Sequence, residues 1–245
     1  GYPGIQSTGT DLMGHAILSA SGAARWLACP PSAREEQKYP SESSPYAREG
    51  TRAHALAEKH LKRYLKTGDS TVTLEEDAGM AEAVQSYVDT VIEKINEART
   101  TSKDAQIFIE KKLDFSQWVP HGFGTGDAVI LSDAFLEIID LKYGKGVPVS
   151  AKNNPQMRLY ALGMYALMGW LYGAENVRMT IVQPRLDSLS TETITVKELL
   201  AWGASIKDIA DKAFQGEGEY KAGDHCRFCR ARKVCRTRAN ALKKV

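Results

Sequence analysis

Apolar residues recur every three to four positions in two long stretches of the N-terminal half of the chain. This period puts the apolar side chains on one face of a helix, and it predicts amphipathic helices over about residues 50–66 and 78–98. A shorter helical pattern over residues 19–29 stops at the Pro30-Pro31 pair, because proline cannot continue a helix. The N-terminal half is therefore predicted to be mainly helical.

The pattern then changes to the alternation and short apolar runs that are typical of strands. Strands are predicted at 105–113, 124–132, 134–144, 177–184 and 191–196. A helix over 155–173 lies between the third and fourth strands, and another over 197–214 closes the series. A helical crossover can join parallel strands, which a tight hairpin cannot. This order predicts an α/β or α+β fold with a mixed sheet that is covered by helices.

Composition adds few constraints. The chain has 245 residues, of which 43% are hydrophobic and 25% are charged, as in ordinary globular proteins. Its apolar runs are too short and too interrupted to span a bilayer, so no membrane contact is expected. Residues 1–14 lack the basic start and apolar core of a signal peptide, and we expect a flexible N-terminus or an expression remnant there. Residues 15–245 are predicted to form a single domain.

Two aspartates and a lysine carry the most informative chemistry. Asp140 and Lys142 lie two residues apart on a predicted strand, so they share one face. Counting outward from the Ser132-Asp133 turn places Asp127 nearly opposite Asp140. Two converging carboxylates repel each other unless a cation lies between them, which predicts a divalent-metal site. The ordinary alternative is that Asp127 caps a turn and that Asp140 and Lys142 form an exposed pair.

Four segments resemble the motifs of the PD-(D/E)XK nuclease superfamily, and within it the RecB-type nucleases with iron–sulfur clusters. They are "GTRAHALAE", "GTGD", "IIDLKYGKG" and "NPQMRLYALG". The resemblance implies that Mg²⁺ or Mn²⁺ is held by His54, Asp127, Asp140 and the main-chain carbonyl of Leu141. It also implies a restriction-endonuclease-like αβββαβ core over about residues 48–215, with added N-terminal helices and a C-terminal iron–sulfur segment.

The same resemblance assigns roles beyond metal binding. Asp127 and Asp140 would act in catalysis with Lys142 as the catalytic lysine, and Gln156 and Tyr160 would position phosphate or water. The last two are four residues apart and share a helical face. From the residues alone, they could also be a surface glutamine and an ordinary core tyrosine, and His54 could be a helix-surface histidine. Glu110 is treated only as a further polar group near the site.

The cysteines form a second candidate site. Three of the four form a Cys-x2-Cys-x5-Cys motif near the C-terminus, and the fourth lies far upstream. Four thiols can bind Zn²⁺ or an iron–sulfur cluster, and the spacing leaves both open. The resemblance to RecB-type nucleases implies a [4Fe-4S] cluster, with a cluster segment made of residue 29 and residues 224–238. The implied ligands are Cys29, Cys226, Cys229 and Cys235.

Charge is distributed unevenly at the C-terminal end. After Asp224 the chain has eight lysines and arginines and no acidic residue. A basic block of this kind is either a solvated tail or a surface that binds phosphate.

Together, the motifs resemble those of a metal-dependent DNA exonuclease that hydrolyses phosphodiester bonds in phage or prophage recombination or in DNA end processing. This implies DNA as the substrate, a single-strand annealing protein or another recombination protein as the candidate partner, and the cytoplasm of a bacterial host. Two alternatives stay open: a CRISPR-adaptation-type nuclease, and a non-catalytic DNA-binding scaffold with a structural cluster. The sequence leaves the oligomeric state and the polarity of digestion open.

Overall fold

A computed structural model describes residues 9–11, 14–41 and 43–243 of the chain. Residues 1–8, 12 and 13 of the predicted flexible N-terminus lie outside the described residues. The chain separates into two compact units. Unit 1 contains the described residues of 1–42, 114–124 and 200–245, and unit 2 contains residues 43–113 and 125–199. Unit 2 is thus inserted into unit 1 along the sequence.

Helices and strands follow the predicted order. The helices are α1 (Ala23–Ala28), α2 (Ser32–Glu35), α3 (Pro45–Thr67), α4 (Ala78–Thr101), α5 (Pro155–Met164), α6 (Trp170–Tyr172), α7 (Val196–Gln215) and α8 (Arg236–Leu242). The strands are β1 (Gln106–Asp114), β2 (Phe123–Leu131), β3 (Phe135–Leu141), β4 (Asn176–Gln183) and β5 (Ser188–Thr195). Among the described residues, no helix combines the length and the apolar character that crossing a membrane requires.

The five strands form one mixed sheet in the order β1-β2-β3-β4-β5. The pairing of β2 with β3 is antiparallel, that of β3 with β4 is parallel, and that of β4 with β5 is antiparallel. The parallel pair is the one joined through α5, as the crossover helix predicts. The predicted mixed-sheet α/β class is therefore confirmed.

The long helices α3 and α4 form where their ends are capped and one face is apolar. Ser44 caps α3 by accepting a hydrogen bond from Ala47 N, and Pro45 occupies the first turn. Gly68, with φ of 78°, ends it in the left-handed conformation. The helix begins five residues before the predicted start, because proline at the first helical position favours a helix rather than breaking it.

The core of unit 2 lies between these two helices and the sheet. Apolar residues of α3 and α4, including Leu56, Val84 and Val88, cluster with Ile130 of β2 and Ile139 of β3. Burying this apolar surface is the main stabilising contribution to the unit. The apolar faces fix the sheet against the helices and so place β2 and β3 beside α3.

The predicted helix over 155–173 differs from the structure in its second half. A π-helical turn, Tyr165–Gly169, separates α5 from α6. Gly169 packs tightly there, since a β-carbon on it would lie 3.0 Å from Cδ2 of Tyr165 and 3.3 Å from Cδ1 of Leu136. Apolar periodicity alone does not reveal the extra residue of a π turn.

A buried ion network ties α4 to the centre of the sheet. Glu137 of β3 is 2% exposed and pairs in register with Arg178 of β4. Its Oε1 accepts a hydrogen bond from Arg178 Nε at 2.7 Å and its Oε2 accepts one from Nη2 at 3.1 Å. Lys94 Nζ of α4 lies 2.9 Å from Glu137 Oε1. Two cations thus compensate one buried carboxylate.

We expect Glu137→Ala to lower the free energy of unfolding by about 3 kcal/mol, because it leaves buried cations without their partner. Glu97→Ala is the matched control, since Glu97 binds the same Arg178 from a side chain that is 55% exposed. Glu97→Ala should lower the free energy of unfolding by less than about 1 kcal/mol. Urea unfolding followed by circular dichroism measures both variants. Equal losses would contradict the assigned role of Glu137.

Candidate active site

The two carboxylates of the predicted site lie on adjacent strands, Asp127 in the middle of β2 and Asp140 next to the last residue of β3. Ala128 pairs with Ile139 in the antiparallel register, so the next residues outward, Asp127 and Asp140, lie opposite each other. The main-chain nitrogen of Leu141 donates to Asp127 Oδ2 at 2.8 Å. Asp127 is thereby fixed to the neighbouring strand, and both aspartates are buried.

His54 approaches the same carboxylate from α3. Its Nδ1 lies 3.2 Å from Asp127 Oδ1, and its side chain is 35% exposed. The predicted site histidine is therefore beside Asp127 of β2 and not on a remote helix surface.

Lys142 is held on the other side of Asp140. Its Nζ lies 3.0 Å from Asp140 Oδ2 and donates to Gln156 Oε1 of α5 at 2.7 Å. Gln156 Nε2 in turn donates to the hydroxyl of Tyr160, one helical turn later, at 3.2 Å. Burial raises the pKa of Tyr160, and the charge of Asp140 adds to this, so the phenol stays neutral. These contacts fix the position of the lysine amine.

Glu110 of β1 is a member of the site that sequence reasoning placed only nearby. One donor atom from each of His54, Glu110 and Asp127 lies within 4.8 Å of the others. Glu110 has φ of 54°, a conformation uncommon for a residue with a side chain, in the middle of its strand. This local backbone conformation is not encoded in apolar alternation, which is why the pattern gave no signal for it.

One imidazole nitrogen and two carboxylate oxygens can hold a divalent cation such as Mg²⁺ or Mn²⁺. The close group contains Glu110 in addition to His54 and Asp127, whereas Asp140 lies against Lys142. Ligation by Asp140 and by the carbonyl of Leu141 stays a prediction.

The electrostatics of the site favour a cation. Burial and, next to it, the charge of Asp127 together raise the pKa of Glu110 to about 7. Burial also raises the pKa of Asp140, with Asp127 adding to it and Lys142 opposing it. Burial lowers the pKa of His54, but the hydrogen bond to Asp127 and the neighbouring carboxylates outweigh that effect and raise it overall. Three crowded carboxyl groups therefore compete for positive charge.

The four cysteines meet in unit 1. All are free thiols, with Cys29 and Cys229 buried and Cys226 and Cys235 half-buried. All four line one cavity of about 320 Å³. Burial is the main cause that raises the pKa of Cys29 and of Cys229, which disfavours their thiolate forms unless a cation compensates them.

Glu36 connects the two chain segments that carry these thiols. Its Oε1 lies 3.0 Å from Nε of Arg25 in α1 and accepts a hydrogen bond from the main-chain nitrogen of Arg230 at 3.0 Å. Tyr220 makes a second connection by donating to Glu35 Oε1 of α2 at 2.8 Å. The turn before Cys29 and the C-terminal segment are thus joined by side chains as well as by their shared cavity.

The cysteine sulfurs do not form a close group of the kind found around His54. Among the described residues, only the His54 group has three or more His, Cys, Asp or Glu donor atoms within 4.8 Å of one another. No three of the four sulfurs therefore all lie within that distance of one another.

Comparison with known proteins identifies a family and two distant structural neighbours. The family described as "Protein of unknown function (DUF2800)" matches residues 15–245. The crystal structure of SSO0001 is 17% identical, over 78% of this chain and 98% of that chain, with a TM-score of 0.33. That of a candidate exonuclease from Eubacterium rectale is 14% identical, over 89% of each chain, with a TM-score of 0.40. Neither structure is similar enough to support an argument about this chain.

Metal binding at the His54 group should depend on pH through Glu110. Its carboxyl must lose a proton to bind a cation, so Mn²⁺ affinity should rise as the pH increases through about 7. Glu110→Gln should bind Mn²⁺ about tenfold more weakly above that pH and show a shallower pH dependence. Electron paramagnetic resonance of free Mn²⁺ gives both quantities.

Glu82→Gln is the control for this measurement, since it removes an exposed carboxylate of α4. It should leave both the Mn²⁺ affinity and its pH dependence unchanged. A Glu110→Gln variant with the wild-type pH profile would remove Glu110 from the metal site.

Proposed function

The chain belongs to the DUF2800 family, whose description assigns no function, and we propose that it is a metal-dependent deoxyribonuclease of the PD-(D/E)XK superfamily. One observation carries the proposal: Asp127 and Asp140 lie opposite each other on adjacent strands, and Lys142 Nζ lies 3.0 Å from Asp140. Paired carboxylates beside a fixed lysine are the groups that metal-assisted phosphodiester hydrolysis requires. We assign exonuclease activity on DNA, as the motifs imply.

In this proposal His54, Glu110 and Asp127 hold the metal, with Asp140 beside them. A bound Mg²⁺ or Mn²⁺ supplies Lewis-acid activation of the phosphodiester and of a water molecule. The donor set supports this, since it is mostly oxygen and sits among carboxyl groups that need a cation.

Lys142 acts on the substrate through its amine. Asp140 and Gln156 engage two of its three N–H groups, and the third can reach a phosphate oxygen or the attacking water. Its positive charge would stabilise the negative charge that develops on the phosphate. Gln156 and Tyr160 keep the amine in place and offer polar groups of their own to the DNA backbone.

We assign a [4Fe-4S] cluster to the four thiols of unit 1. In such a cluster each thiolate binds a different iron, so the sulfurs lie farther apart than around a single ion. The common cavity supports one metal group that the four thiols share, and the resemblance to RecB-type nucleases implies iron–sulfur rather than Zn²⁺. The cavity is also lined by Arg25, Lys221 and Arg232, whose positive charge suits an anionic cluster. The cluster would connect the segments around residues 29 and 224–238.

The nuclease proposal is tested on end-labelled linear DNA with Mn²⁺, and with EDTA as the metal-free control. Asp140→Asn and Lys142→Ala should each lower the cleavage rate by about a hundredfold or more, because the first removes a carboxylate that holds Lys142 and attracts the metal, and the second removes the cation that stabilises the reacting phosphate. Lys103→Ala, which removes an exposed lysine elsewhere in unit 2, should cleave at the wild-type rate. Full cleavage by both site variants would reject the assignment, and DNA binding without cleavage by the wild type would favour a scaffold.

The cluster proposal is tested by elemental analysis of anaerobically purified protein. We expect about four irons per chain and a broad visible absorbance. Cys29→Ser and Cys235→Ser should lose the iron, whereas His225→Ala should keep it, since the His225 ring bonds to the carbonyl oxygen of Lys221 at 2.7 Å. One zinc per chain in place of iron would contradict the proposal.

A further inference from the structure

An arginine lies next to the candidate active site in a turn that the nuclease motifs do not include. Arg185 belongs to the short 3-10 turn Pro184–Leu186 that follows β4. Its guanidinium carbon is 4.8 Å from the centroid of the Tyr143 ring, and its Nη1 donates to Glu49 Oε2 at 3.2 Å. The side chain is 23% exposed. A partly accessible guanidinium is thus held between an aromatic face and a carboxylate.

Two contacts relate this arginine to the reacting groups. Tyr143, on which it stacks, directly follows Lys142, whose main-chain nitrogen donates to Val182 O of β4 at 2.9 Å. Glu49, with which it pairs, lies on α3 five residues before His54. At 1.5 Å per residue, the two α3 residues are about 7.5 Å apart along the helix axis.

Arg185 is thus connected through Tyr143 to the strand segment that carries Lys142, and through Glu49 to the helix that carries His54.

The chemistry of Arg185 and its surroundings points to a phosphate as the ligand. A guanidinium offers a planar set of five N–H donors that fits a phosphate, and stacking on Tyr143 fixes its plane. Arg52, exposed on α3, adds positive charge near Tyr143, while Glu49 and Asp77 oppose it. Glu49 accepts a hydrogen bond from the guanidinium, as a phosphate oxygen could. Its side chain is one third exposed, and an ion pair this accessible contributes little to the stability of the fold.

We propose that Arg185 binds a DNA phosphate close to the scissile one, and that Glu49 occupies Arg185 until this phosphate displaces it. The inference rests on the proposed nuclease function and adds a substrate-binding subsite to it. It requires that removing the arginine and removing the carboxylate have opposite effects on DNA binding.

The experiment measures binding of a short fluorescein-labelled DNA strand by anisotropy, in the inactive Lys142→Ala background. Arg185→Ala should weaken binding about tenfold, as expected for loss of one charge-assisted contact. It should also reduce the slope of log affinity against log salt by about 1. Glu49→Gln should strengthen binding, and the double variant should behave like Arg185→Ala, because the carboxylate acts only through the arginine.

Arg63→Ala is the matched control, since Arg63 is a partly exposed arginine of α3 that pairs with Asp69 at 3.4 Å. It should leave the affinity unchanged, and circular dichroism verifies that each variant is folded. An unchanged affinity and salt slope in Arg185→Ala would overturn the subsite alone. So would weaker binding by Glu49→Gln, which would mark a purely structural ion pair. A parent protein that binds no DNA would reject the nuclease proposal as well.

Discussion

Repulsion between carboxyl groups on three neighbouring strands is the constraint on which the candidate site depends. Glu110, Asp127 and Asp140 come from three neighbouring strands, and burial raises the pKa of Glu110 and Asp140. Such a group is costly to assemble unless positive charge is nearby. His54 and Lys142 supply part of that charge, and a divalent cation would supply the rest. The site therefore fits a divalent cation.

Holding these groups together needs a rigid frame, which the rest of unit 2 supplies. The antiparallel register of β2 and β3 sets the separation of the two aspartates, and the α3–α4 core fixes His54 against them. Elsewhere in the sheet, Glu137 of β3 and Arg178 of β4 show how it accommodates a carboxylate that has permanent partners. Two cationic side chains compensate that one carboxylate, whereas His54 and Lys142 face three carboxyl groups in the site.

Part of this arrangement follows from the sequence because it depends on exact periods. The strand period of two and the position of one turn suffice to place Asp127 opposite Asp140, and the crossover helix implies the parallel pair. The contribution of Glu110 could not be predicted, because it depends on a φ of 54° inside a strand. The sequence did not single out Arg185 either, because its two partners, Tyr143 and Glu49, come from distant parts of the chain. The gathering of the cysteines followed from a resemblance and not from their spacing.

The insertion of unit 2 within unit 1 also sets an order of events during synthesis. Cys29 is synthesised before every residue of unit 2, and the other three cysteines of its cavity are synthesised after them. At about 5–20 residues per second, the interval between Cys29 and Cys235 is about 10–40 s. Unit 2 can complete its core in that time. Any metal that needs all four sulfurs can therefore be bound only after unit 2 has been synthesised, so its loading would mark the chains on which both units have been made.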